Sequence, residues 1–150
     1  MGFDLHGMNP NLVRPAPKLP PMPERTKKDW EKYHEWEDEN CGTYFRNNVW
    51  FWRPLWSYVA SVCWNILSDK DIEKGSWNDG HKISKTKAKR IASRLRRLIR
   101  EGHVASVEAK YKNEQDKLPD GDWDKAYPFN EENVRQFSNF CENSGGFEIC

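Results

Sequence analysis

The stretch Thr43 to Leu67, TYFRNNVWFWRPLWSYVASVCWNIL, constrains the fold more than any other part of the chain. It carries four of the eight tryptophans and the longest apolar run. Proline has no amide hydrogen and a fixed φ, so it suits the first turn of a helix and breaks an interior. Pro54 therefore predicts a helix that starts near Arg53 or Pro54, with Tyr44 to Trp52 as an extended or turning lead-in. From there Leu55, Tyr58, Val59, Val62, Cys63 and Ile66 recur at helical spacing and define one apolar face. Trp56, Ala60 and Trp64 form a second apolar row, and Arg53, Ser57, Ser61 and Asn65 leave only a narrow polar strip. A helix apolar nearly all round belongs in a core. At about fourteen residues it also falls short of the twenty or so needed to cross a bilayer.

Ahead of that helix, Arg46, Asn47 and Asn48 lie among Tyr44, Phe45, Trp50 and Trp52. Rings beside amide and guanidinium groups suit a flat polar ligand, because the rings stack on it while Asn and Arg read its edge. The competing reading has Asn47 or Asn48 cap the helix while the aromatics fill the core.

A charged fraction of 31% and a mean hydropathy of −0.99 are polar, but 13% aromatics argue against disorder and for a small core built from rings. Residues 1–150 are read as a single domain, long enough for a proper core. A net charge of +1 makes no global case for nucleic acid or a membrane. With neither a leader pattern nor an apolar run of membrane length, the expected location is the cytoplasm. Cys41, Cys63, Cys141 and Cys150 stand far apart with no C-x-x-C pair, so no zinc site or other cofactor is expected. A reducing cytoplasm implies free thiols, with Cys63 and Cys141 buried, although an even count leaves disulfides open.

Several other segments carry local signals. In MGFDLHGM, Phe3 and Leu5 alternate with Asp4 and His6, the period of a strand whose polar face holds both titratable groups. Asn9 to Glu24, with six prolines, reads as an extended loop. Thr26 to Asn40 reads as an acidic helix capped by Thr26 with Asp29 and stopped by Gly42, His34 being a packed helix residue. Ser68 to His81 reads as a loop with a turn at Asn78-Asp79-Gly80, where Asp79 and His81 form a possible acid–base pair. Ser84 to Glu101 is a clear amphipathic helix between a Ser84 cap and Gly102, with Ala88, Ile91, Ala92, Leu95, Leu98 and Ile99 inward. Its outward face is basic, open either to polyanions or simply to water. His103 to Leu118 reads as a mostly polar helix and Pro119 to Tyr127 as a loop anchored by Trp123. Asn130 caps a final helix that buries Val134, Phe137, Phe140 and Cys141 and ends at Ser144-Gly145-Gly146. Phe147 to Cys150 then forms a strand able to pair with the first. The resulting expectation is an α+β, mainly helical fold. A small sheet from the chain termini and the Thr43 lead-in is packed by four or five helices around a central aromatic helix at about residues 53–67.

The segments MGFDLHGMNP, YFRNNVWFWRPLW, NDGH and FCENSGGFEIC together resemble a group of small bacteriophage and prophage proteins of no established activity. The resemblance implies a phage accessory protein acting in a bacterial cytoplasm, where such proteins often counter host defence. The leading expectation is a non-catalytic sponge for a nucleotide-like signal, bound by Tyr44, Arg46, Asn47, Asn48, Trp50, Trp52 and Arg53, with Asp4, His6, Asn78 and His81 closing the site. The alternative is an inhibitor that binds a host defence protein. A small hydrolase or lyase using Asp4, His6, Asp79 and His81, or a nucleic-acid or other polyanion binder, ranks lower, and no catalytic motif is present. Homo-oligomerisation fits the sponge; membrane association fits none of these. A sponge predicts a concave pocket at the Tyr44–Arg53 cluster, an enzyme predicts Asp–His contact in a cleft, and polyanion binding predicts an open, unpaired face at Arg90, Arg94 and Arg97.

Overall fold

A computed structural model describes residues 1–150. The alternation of Phe3 and Leu5 with Asp4 and His6 becomes strand β1 (Gly2–Gly7), and the lead-in becomes β2 (Tyr44–Asn48). Strands β3 (His81–Ile83) and β4 (Phe147–Ile149) complete an antiparallel sheet of order β2-β1-β4-β3. The two ends of the chain are thus neighbours, as the sequence leads one to expect: Leu5 faces Ile149, and Asp4 and Cys150 exchange backbone hydrogen bonds of 2.8 and 2.7 Å. Because side chains alternate across a strand, Phe3, Leu5, Phe45, Ile83, Phe147 and Ile149 all turn to one face and are buried there.

Six helices complete the fold: α1 (Lys27–Glu39), α2 (Val49–Val62), α3 (Asp69–Lys74), α4 (Lys85–Arg100), α5 (His103–Asp116) and α6 (Glu131–Asn143), of which α2, α3 and α6 contact the sheet. The fold is mainly helical α+β, around one core cluster of 24 buried residues. At its centre Trp52 stacks between Phe3 and Trp56, each 5.4 Å away, and meets Phe137 edge-on at 5.7 Å. The cap at Thr26 with Asp29, the Ser84 cap and the Asn130 cap form as their side chains predict. The proline-rich segment is irregular and tied to α1, since Trp36 donates to the Arg14 carbonyl at 2.8 Å. All four cysteines are free, and Cys63 and Cys141 are buried.

Five local expectations are corrected. Helix α2 starts at Val49, not at Pro54, because Asn48 Oδ1 accepts the Phe51 amide at 3.0 Å and caps it there. Pro54 sits inside the helix, where the burial of Trp52, Leu55, Trp56, Tyr58 and Val59 outweighs one lost backbone hydrogen bond. The helix also ends early, at Val62, whose carbonyl accepts a hydrogen bond from Arg94; Trp64 then lies on an exposed turn instead of in a second buried row. Ser68 to His81 is not all loop: Ser68 and Asp71 form a capping box that starts α3. Lastly, α1 ends at Asn40, whose buried side chain donates to the Trp36 carbonyl at 2.8 Å, and Trp123 anchors nothing in the core, being 75% exposed.

Candidate functional site

The eleven residues expected to form one ligand site are dispersed. Asp4, His6, Tyr44 and Arg46 share the outer face of the sheet, where β1–β2 register sets Asp4 opposite Arg46 and His6 opposite Tyr44. Three of them are linked through Asp4: the Tyr44 hydroxyl donates to Asp4 Oδ1 and Arg46 Nε lies 3.6 Å from the same oxygen, while the His6 and Tyr44 rings are 5.3 Å apart. Burial, reinforced by the bond to Asp4, pushes the Tyr44 hydroxyl up to about 12, so it remains a donor. Asn47 turns the other way and exchanges hydrogen bonds of 3.0 and 2.9 Å with Asn133 of α6. Asn48 is consumed by its cap. Trp50 stacks on Trp123 at 6.2 Å and meets Tyr127 at 4.8 Å. Trp52 is 0% exposed, and its indole donates to the Gly75 carbonyl at 2.8 Å, so it has no face left for a ligand. The reason is the strand-to-helix change at Asn48. It breaks the period of two, so residues close in sequence leave in different directions.

The Asp79–His81 pair does not form. Asp79 binds Lys74 at 2.9 Å, while His81 Nε2 lies 2.8 Å from Oδ1 of Asp71. The other oxygen of Asp71 takes the Lys87 ammonium and the Ser68 amide, so one buried carboxylate joins α3, β3 and α4. Burial by itself would raise the Asp71 carboxyl, but the bonds from Lys87, Ser68 and His81 override it and hold the group well below the usual carboxylate range. With both oxygens occupied, this contact is a structural tie and lacks a free base. A depressed folded-state value contributes stability above the unfolded value of about 3.9, and that contribution is lost as pH falls toward the folded one. Asp71→Asn is therefore expected to cost about 2 kcal/mol at pH 7 in urea denaturation. The gap between the two proteins should shrink steadily below about pH 4. A gap that is constant down to about pH 3 contradicts this assignment.

Two of the expected residues do meet. Arg53 and Asn78 line a groove of ≈ 770 Å³ between α2, α3 and the β1 end, together with Met1, Phe3, Val49, Trp56, Ile72 and Trp77, while Trp52 lies fully buried in its floor. Eight of its twelve residues are hydrophobic, and the polar groups are few: Arg53, Ser57, Ser76 and Asn78. Trp77, 57% exposed, offers a ring at the mouth. Arg53 is exposed and forms no ion pair, unlike Arg46 beside Asp4. Arg53 and Ser57 also line a second hollow of ≈ 560 Å³ with Tyr111, Gln115, Tyr127 and the acids Glu114 and Asp124, so the polar strip of α2 runs between two concavities. No Asp, Glu, His, Lys or Cys side chain lines the larger groove. It can stack, desolvate and hold a negative charge, which is binding chemistry without a general acid or base. Trp77 and Ile72 escape sequence reasoning. The available signal was the capping box Ser68-x-x-Asp71, which makes a helix of that segment and turns it toward α2.

Nowhere do three His, Cys, Asp or Glu side chains converge as a metal ion needs. No helix is long and apolar enough to cross a membrane. Comparison with protein-family models, with curated proteins and with solved structures finds no match to the chain.

Proposed function

We propose that the chain is a non-catalytic binder that sequesters a flat, anionic, nucleotide-like small molecule in the groove between α2 and α3. The carrying observation is that an exposed ring, Trp77, and a cation without an ion pair, Arg53, line one mostly apolar hollow. In this reading Trp77 stacks on the base, Asn78 reads its edge, and Arg53 takes the phosphate at the mouth. Asn78 has capacity to spare, since only its amide nitrogen is engaged, at 3.3 Å from the Gly2 carbonyl. The outer-face set is left out, because Asp4, Tyr44 and Arg46 engage one another and His6 packs only against the Tyr44 ring. The setting that fits is a phage accessory protein removing a defence signal in a bacterial cytoplasm.

Native mass spectrometry with a panel of cyclic and linear nucleotides tests this. A stoichiometric adduct is expected, weakened about tenfold or more by Arg53→Ala and by Trp77→Ala. Arg46→Ala should leave it unchanged. An adduct lost with Arg46→Ala and kept with Arg53→Ala moves the site to the sheet and rejects the groove. With no adduct at all, the second reading gains: an inhibitor of a host protein, anchored by Trp123, which lies 75% exposed on Trp50.

A further inference from the structure

The basic residues of α4 divide into two groups. Lys87 is taken by Asp71, and Lys89 and Arg96 lie 3.3 and 3.7 Å from the Glu142 carboxylate of α6. The rest turn away from those partners. Arg90, Arg94, Arg97 and Arg100, with Ser93 and Ile66, line a cleft of ≈ 270 Å³ that no acidic residue enters. Arg90 and Arg100 make neither an ion pair nor a side-chain hydrogen bond, and the acidic helix α1 reaches none of the four. Arg97 is 3.8 Å from Glu101, an exposed pair in the last turn that water screens. Arg94 donates to the Val62 carbonyl and, at 3.2 Å, to Asn65 Oδ1, both neutral, so it is held in place with its charge uncancelled.

That anchoring joins the cleft to the turn after α2. Asn65 holds Arg94, Ile66 lines the cleft, and the residue beside them, Trp64, is 71% exposed with no aromatic partner. A bare indole in the turn that supplies Asn65 and Ile66 to a cleft of four guanidinium groups adds stacking to anion binding. An acidic peptide needs only the second. Guanidinium forks also match phosphate oxygens better than ammonium groups do. From Arg90 to Arg97 the helix axis advances about 10 Å, so the arginines can reach more than one phosphate of a strand laid along the helix.

We propose that this cleft and Trp64 bind single-stranded nucleic acid, the arginines taking successive phosphates and Trp64 stacking on a base. The site shares no residue with the groove of the proposed function and stands or falls separately.

Fluorescence anisotropy of a labelled oligothymidylate, titrated across a range of salt, tests it. Three or four phosphate contacts predict that log affinity falls against log salt with a slope of about −2 to −3. The double variant Arg90→Ala/Arg100→Ala, which removes no side-chain hydrogen bond or ion pair of the fold, should make that slope shallower by about 1.4. Trp64→Ala should weaken binding about tenfold and leave the slope unchanged. Circular dichroism checks that each variant is folded. The proposal is overturned if the oligonucleotide does not bind, or if duplex DNA binds as tightly. It is equally overturned if inorganic polyphosphate or an acidic peptide competes as well while Trp64→Ala changes nothing, which marks a general anion surface. Binding lost with Arg53→Ala but kept in the α4 double variant rejects the cleft and places the oligonucleotide in the groove.

Discussion

Trp52→Ala is expected to destabilise the protein by about 3–5 kcal/mol and to lower its melting temperature by about 8–16 °C. Two losses combine. The ring is fully buried and stacks with Phe3 and Trp56 while meeting Phe137 edge-on, so its removal opens a cavity at the meeting point of β1, α2 and α6. Its indole N–H is also the donor to the Gly75 carbonyl, which is left unsatisfied in the interior. Gly75, whose carbonyl loses this donor, packs so closely on the Trp56 ring that a Cβ there would lie 2.0 Å from it. Denaturant unfolding with the midpoint read by far-ultraviolet circular dichroism measures the loss. A Trp52 that faced a ligand would behave oppositely, with melting nearly unchanged and binding abolished.

Gly42→Ala is expected to cost about 3 kcal/mol or more, and its origin is crowding instead of a cavity. A Cβ on Gly42 would lie 2.0 Å from the Asn143 carbonyl oxygen and 2.3 Å from its carbon. That carbonyl belongs to the last turn of α6 and is fixed by the Asn11 amide at 2.8 Å, so it cannot swing aside. On the other side, a Cβ on Gly7 would meet the Gly42 carbonyl oxygen at 2.0 Å. The end of β1, the turn into β2 and the end of α6 therefore cross where no methyl group fits. A melting curve of the variant within about 1 kcal/mol of the parent contradicts this packing. Sequence reasoning assigns Gly42 the role of helix stop, yet Asn40 ends α1 and Gly42 serves close approach.

Some elements are legible because their causes are local. Helix α4 follows from Ala88, Ile91, Ala92 and Leu95 at helical spacing after a Ser84 cap, and every one of these four is fully buried. Helix α6 and the pairing of the terminal strands follow in the same way. The α3 capping box was equally local, but six helical residues give too short a period to stand out from a turn-rich segment. The candidate site was less legible. Aromatic, Asn and Arg side chains clustered in the sequence promised one pocket. The structure distributes them among the sheet's outer face, a helix cap, the core and the groove.

The sequence by itself determined the mixed, mainly helical class, the terminal strands and the caps, since periodicity and capping depend on residues a few positions apart. Only the tertiary structure decided which tryptophans are core and which are surface. Trp52 and Trp64 lie in one apolar stretch, but Trp52 meets Phe3 and Phe137 from distant parts of the chain, whereas Trp64 follows the point where Arg94 ends α2 and meets no ring. Burial is set by partners far away in sequence, and local pattern carries no information about which partner arrives.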